Sequence, residues 1–114
     1  MVASKAPDDA RARFAQLAQE MASGDGAISA HRKGFGTRSM FVGRKMFAVL
    51  DRTGELIVKL PPERVQELIR SKVGRGWSPG SGSPLKEYVA ISFAHQREWP
   101  RFAREARTYM GGQT

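Results

Sequence analysis

Apolar residues recur at helical spacing in three segments of the chain. This spacing places them on one side of a helix, where they can pack against a core. The pattern predicts helices over residues 7–23, 61–73 and 96–110. Their apolar positions are Phe14, Leu17, Ala18 and Met21 in the first helix, Val65, Leu68, Ile69 and Val73 in the second, and Trp99, Phe102, Ala103, Ala106 and Met110 in the third.

Proline, glycine and aspartate mark the ends of these helices. Asp8 and Asp9 lie in the first turn of the first helix, where negative charge stabilises the N-terminus. Pro61 and Pro62 favour a helix start, because the first turn needs no N–H from them. Gly24 is expected to end the first helix, and a glycine at position 74 is expected to end the second.

Between the first two helices the apolar period changes to two, which is typical of strands. A short strand is predicted over residues 27–32, and two hairpins are predicted to follow it. Gly43-Arg44 suits a type II′ turn, and the segment 51–54 ends on a glycine that can close a type I turn. Both faces of the central strands are apolar, so each face is expected to be covered at least in part.

A glycine-rich segment over residues 74–84 is predicted to be a loop, followed by a last strand over residues 87–91. The predicted order is therefore α-β(4)-α-β-α. Consecutive strands of this kind indicate an α+β fold with an antiparallel sheet packed by the N- and C-terminal helices. With 114 residues, the chain is expected to form one domain over residues 1–114.

Three motifs give the chain a resemblance to a known family. They are GRKMFA at residues 43–48, VKLPP at residues 58–62 and PLKEYV at residues 84–89. With their surroundings they resemble the TfoX N-terminal domain and the related MmcQ/YjbR-like proteins over about residues 8–110. The resemblance implies a small α+β fold, a role in regulation and, through the YjbR-like branch, DNA binding. It implies no catalytic residue, and the chain is expected to lack the second domain of the full-length regulators.

The composition excludes several kinds of chemistry. With no cysteine, the chain can form neither a disulfide nor a thiolate metal site, and a cytoplasmic location is expected. No apolar run approaches the roughly 18 residues that span a bilayer, so no membrane association is expected. His31 and His95 lie outside any metal-binding spacing, and neither a metal nor another cofactor is predicted.

The net charge of +8 is concentrated in the middle of the chain. Residues 27–50 contain five basic and no acidic residues, and residues 68–86 contain four basic and no acidic residues. Such an excess favours polyanionic partners, with contacts to phosphates rather than to bases. The candidate nucleic-acid-binding residues are Arg32, Lys33, Arg38, Arg44, Lys45, Arg75 and Lys86.

No catalytic motif accompanies this charge, so the chain is predicted not to be an enzyme. The segment 74–82 lacks the spacing of a phosphate-binding loop, and His31, Asp51, Glu55 and the serines lack the context of a catalytic triad. Trp77 is expected to anchor its loop to the core, with base stacking as the alternative.

These observations predict a non-enzymatic binding or regulatory module that contacts nucleic acid. The alternative is a protein-interaction module that docks an acidic protein or forms a homodimer along a strand edge. A third hypothesis is a small-molecule binding site beneath the 74–82 loop.

Overall fold

The strands pair in one antiparallel sheet in a computed structural model of the chain, which describes residues 7–32, 37–80 and 82–112. The sheet has six strands in the order β1-β2-β3-β4-β6-β5. The elements are α1 (Asp8–Gly24), β1 (Ile28–Arg32), β2 (Thr37–Val42), β3 (Lys45–Leu50), β4 (Leu56–Lys59), α2 (Pro62–Arg70), β5 (Gly74–Gly76), β6 (Tyr88–Ile91), a 3₁₀ helix (Phe93–Glu98) and α3 (Trp99–Gly111). The predicted α+β class, with a helix first and a helix last, is confirmed.

Three local predictions were wrong. The segment 74–84 is not wholly a loop, because its first three residues form β5 and pair with β6. The second helix ends at Arg70 rather than at Gly74. The third α-helix begins at Trp99, and the residues before it form a 3₁₀ helix instead of its first turn. Pro100 therefore lies in the first turn of α3, where proline is tolerated.

The three α-helices pack on one face of the sheet. Ala48, Val58 and Val89 are register partners across β3, β4 and β6, and all three belong to the buried core. From the helices, the side chains of Phe14, Trp99 and Phe102 are almost completely buried. The expected inward face of the C-terminal helix is thereby confirmed.

A bulge in β3 adds a large side chain to this core. Met40 pairs with Ala48, whereas the next residue of β2, Phe41, pairs with Met46. Phe47 is thus the extra residue, and such an insertion breaks the strict alternation of side chains between the two faces. Phe47 and Ala48 are consequently both buried in the core beneath the helices.

The β3–β4 turn supports the start of α1. Asp51 Oδ1 accepts hydrogen bonds from the backbone N–H groups of Thr53 and Glu55, 2.9 and 3.1 Å away. Gly54 has φ +87°, as the predicted turn requires. A Cβ atom on Gly54 would lie 2.8 Å from Pro7 Cδ, so glycine also permits the close approach of α1.

The second face of the sheet carries no α-helix among the described residues, but it is partly covered. Ile57 and Ala90, which alternate with core residues and face away from the helices, are only 1% exposed. Arg75 on β5 pairs with Ala90 and hydrogen-bonds to Glu55 beside β4, so its side chain crosses β6. The expectation that both faces need cover therefore holds at these positions.

Candidate nucleic-acid interface

The net positive charge of the sequence lies outside the helices. The three α-helices, the 3₁₀ helix and the residue that caps α1 at its C-terminus, Asp25, contain eight basic and eight acidic residues. The strands, turns and chain ends contain the other eleven basic residues and only three acidic ones. The whole excess of +8 therefore lies outside the helical layer.

Three of the residues that were predicted to bind nucleic acid lie at one end of the sheet. At this end β3 begins, β4 ends and β6 begins. Arg44 and Lys45 lie at the β2–β3 turn, and Lys86 lies two residues before β6. All three are exposed. Lys59, which ends β4 between them, joins this group although the sequence analysis did not single it out. The strands β3 and β6 are roughly 10 Å apart, because β4 separates them. We call Arg44, Lys45, Lys59 and Lys86 the basic end.

The carboxylates near the basic end face away from it. Glu87 precedes Tyr88 in β6, and its Oε1 accepts a hydrogen bond from the hydroxyl of Tyr109 on α3, 2.8 Å away. Glu63 belongs to α2 and so lies on the helical side. The other two acidic residues outside the helical layer, Asp51 and Glu55, lie in the turn at the opposite end of β3 and β4.

The other residues that were predicted to bind nucleic acid do not lie at the basic end. Arg38 precedes Val42 on β2 by four residues, about 13 Å of strand away from the turn that carries Arg44. Arg32, the last residue of β1, pairs with Thr37 and so lies at the same distant end. Lys33 lies outside the described residues. The seven predicted residues therefore do not form one patch.

Arg75 is engaged by a carboxylate. Its Nε lies 3.1 Å from Glu55 Oε2, and its Nη2 also hydrogen-bonds to that carboxylate. The hydrogen bond from Glu55 raises the pKa of the Arg75 guanidinium above its ordinary value. Arg75 is thus paired with a carboxylate, and its side chain crosses the second face of the sheet.

An aromatic pair lies beside the basic end, on the face away from the helices. The ring centroids of Trp77 and Tyr88 are 5.6 Å apart, with an angle of 52° between the planes. Lys59 Nζ lies 5.6 Å from the centroid of the Tyr88 ring, within the range of a cation–π contact. Trp77 thus packs against Tyr88 rather than into the core as predicted, and both aromatic residues remain partly exposed.

The residues considered as catalytic candidates either make structural hydrogen bonds or lie away from the basic end. Asp51 organises its turn, and Glu55 binds Arg75. His95 and Ser92 line a small cleft of about 120 Å³, and the Ser92 carbonyl oxygen accepts from the Trp99 indole N–H at 3.2 Å. The side chain of His31 lies outside the described part of the structure. No group of three or more potential metal ligands occurs among the residues that the structure describes.

Two larger grooves lie on the helical side. One, of about 460 Å³, runs between α1 and α3, and the other, of about 640 Å³, runs between α2 and α3. Ion pairs bridge both: Arg107 binds Asp25 at 2.7 Å, and Arg64 binds Glu105 at 2.8 Å. The hydrogen bond from Glu105 raises the pKa of Arg64 above its ordinary value. These grooves therefore lie in the layer whose charges balance.

Comparison with known protein families, with curated protein sequences and with solved structures found no match to this chain. The resemblance to the TfoX N-terminal domain family stays a prediction. In the described ranges, no helix is long and apolar enough to cross a membrane.

Proposed function

We propose that this protein is a non-enzymatic module that binds nucleic acid through the basic end of its sheet. One observation carries the proposal: the helical layer is neutral, and the entire excess of positive charge lies in the strands, turns and chain ends. Binding to a polyanion then takes place at the sheet, led by contacts to phosphates and with little sequence preference. The sequence resemblance supports the same function, and the absence of cysteine favours a cytoplasmic setting.

The charge density at the basic end fits this role. The four cations lie at the ends of three neighbouring strands or in the segments that lead into them, and neighbouring strands are only about 5 Å apart, well within the Debye length of roughly 10 Å at 0.1 M salt. Their potentials therefore add at a phosphate backbone. A regulatory role, as implied by the family resemblance, would act through this binding.

The test is a double charge reversal, Arg44→Glu with Lys86→Glu, measured by titration of labelled nucleic acid at several salt concentrations. Four phosphate contacts predict a slope of log affinity against log salt of about −3 for single strands. The reversal is expected to weaken binding to all sequences alike and to flatten this slope. The matched control is Arg97→Glu with Arg104→Glu, which changes the net charge equally at two exposed positions of the helical layer.

The comparison of the two charge reversals shows whether binding depends on the basic end or on net charge alone. If the control reversal weakens binding as much as the basic-end reversal does, binding depends on net charge alone and the proposed interface is wrong. If the unmodified protein binds no nucleic acid even at low salt, the proposed function is wrong.

The second candidate is self-association, favoured by the position of β1 as an outer strand of five residues. An outer strand offers unpaired backbone groups to a second copy of the sheet. Sedimentation velocity over a range of protein concentrations tests it, because a dimer would give a sedimentation coefficient that rises with concentration.

A further inference from the structure

We infer that Trp77 is a stacking platform for an unpaired nucleobase, so that the protein prefers single-stranded nucleic acid to duplex. This inference rests on the proposed function and adds the class of nucleic acid to it. Stacking of successive bases on aromatic side chains beside a basic groove is a general mode of single-strand binding.

The two tryptophans of the chain have opposite environments. Trp99 is completely buried, and its indole N–H donates to the carbonyl oxygen of Ser92. The indole N–H of Trp77 has no acceptor among the described residues, yet it is not one of their buried unpaired polar atoms. Trp77 is therefore partly exposed, and its indole N–H is not sealed from solvent, so a ligand can reach the side chain.

Trp77 is nevertheless held in place. Its ring packs against Tyr88, which Lys59 covers in turn, and its carbonyl oxygen accepts a hydrogen bond from the N–H of Leu85 at 2.9 Å. The preceding residue, Gly76, approaches Pro84 so closely that a Cβ atom there would lie 2.9 Å from the proline ring. A tryptophan that is fixed by its surroundings loses little conformational entropy when a base stacks on it.

The charges around Trp77 match a single strand. Lys59 lies directly beside Tyr88, and Lys86 lies two residues before it, so both cations lie near the ring against which Trp77 packs. A nucleotide whose base stacks on Trp77 can therefore place its phosphates near both lysines. In a duplex the bases are already stacked on one another, so Trp77 gains nothing from them and only the phosphate contacts remain.

The charge of the helical layer does not favour binding of duplex DNA there. Readers of the major groove usually insert a helix whose side chains contact bases and phosphates. Here the helices, together with Asp25 at the C-terminal end of α1, carry as many acidic as basic residues. The charge therefore directs nucleic acid to the sheet, where the partly exposed side chain of Trp77 favours the single strand.

The experiment compares one labelled oligothymidylate of about 16 nucleotides, a length that covers one site, with the same strand annealed to its complement. We expect the unmodified protein to bind the single strand more tightly. Trp77→Ala is expected to weaken single-strand binding about tenfold and duplex binding less than about twofold, whereas Trp77→Phe retains most of the single-strand affinity. Circular dichroism of each variant checks that the fold is retained.

Tryptophan fluorescence gives a second readout in which the Trp77 side chain itself is left unchanged. In a Trp99→Phe protein all emission comes from Trp77, and stacking of a base is expected to quench it on addition of the oligothymidylate. Unchanged emission at saturation would overturn the inference, even if binding occurs. So would equal affinity for the two forms, or an equal loss of both in Trp77→Ala. A protein that binds neither form at low salt overturns the proposed function and this inference together.

Discussion

The guanidinium of Arg107 on α3 donates a hydrogen bond to the carboxylate of Asp25, the residue that caps α1 at its C-terminus, over 2.7 Å. Asp25 also accepts from the backbone N–H of Ala27 at 3.0 Å. One carboxylate thereby joins the C-terminal ends of two helices to the start of β1. The hydrogen bond from Arg107, followed by that from Ala27, lowers the pKa of Asp25 below its ordinary value of 3.8.

This lowered pKa predicts a pH-dependent contribution to stability. A group with a lowered folded-state pKa stabilises the fold fully above its unfolded pKa and loses that effect as the pH falls through the folded value. We expect Asp25→Asn to lower the free energy of unfolding at pH 7 and to have a smaller effect below pH 3.8. Urea unfolding of both proteins at several pH values measures the difference. A difference that stays constant with pH would contradict the prediction.

The two largest anchors of α3 are expected to dominate core stability. Trp99 and Phe102 are 0% and 1% exposed, so Trp99→Ala and Phe102→Ala leave cavities beneath the helix. Each is expected to lower the free energy of unfolding by about 3–5 kcal/mol. Trp77→Ala is the matched control and should cost about 1 kcal/mol, because Trp77 is partly exposed. Thermal or urea unfolding gives all three values, and a loss below about 1 kcal/mol at Trp99 would contradict the packing described.

A lysine at position 72 is expected to make the fold less stable than a glycine would at the same position. Its φ is +63°, and it follows the C-terminus of α2, where the N–H of Val73 bonds to the carbonyl of Leu68 and that of Lys72 bonds to the carbonyl of Ile69. Glycine is the usual residue at this position of a helix end. Lys72→Gly is therefore expected to raise the free energy of unfolding by about 1 kcal/mol. The control Ser71→Gly, at a residue with right-handed φ and ψ, should lower it instead.

Substitution of two turn glycines distinguishes the cost of an unfavourable backbone conformation from the cost of a steric clash. Gly43 and Gly54 both have positive φ, but a Cβ atom would meet nothing within 4 Å at Gly43 and would lie 2.8 Å from Pro7 at Gly54. Gly43→Ala is expected to cost about 1 kcal/mol from conformation alone. Gly54→Ala should cost at least about 1 kcal/mol more, because the start of α1 must move. Equal losses in urea unfolding would show that α1 does not depend on this approach.

Local chemistry explains which parts of the fold were predictable. The turns at Gly43 and Gly54 followed from residues that act on their own backbone. β5 was missed because Gly74, Arg75 and Gly76 show no apolar alternation, and their strand conformation depends on pairing with β6. The 3₁₀ segment before Trp99 was missed because Gln96, Arg97 and Glu98 are all residues that favour an α-helix, and nothing in their sequence marks the change of helix type.

The candidate site was predictable only in part. The basic excess was visible in the sequence, but its division between two ends of the sheet depends on strand pairing. Arg75 and Glu55 lie 20 residues apart, so no local pattern indicated that they bind each other. Lys59 was overlooked because it ends a strand of apolar residues. Its cross-strand neighbour Tyr88 could be recognised only once β4 and β6 were known to be partners.

An excess of positive charge outside a neutral helical layer makes the electric field around the molecule uneven. In the field of a polyanion, such an uneven distribution of charge experiences a torque that favours approach by the positive side. Productive encounters then become more frequent than random orientation would allow, and the association rate falls as salt screens the field. The arrangement of charge between the two layers thus affects how quickly a complex forms as well as how tightly it holds.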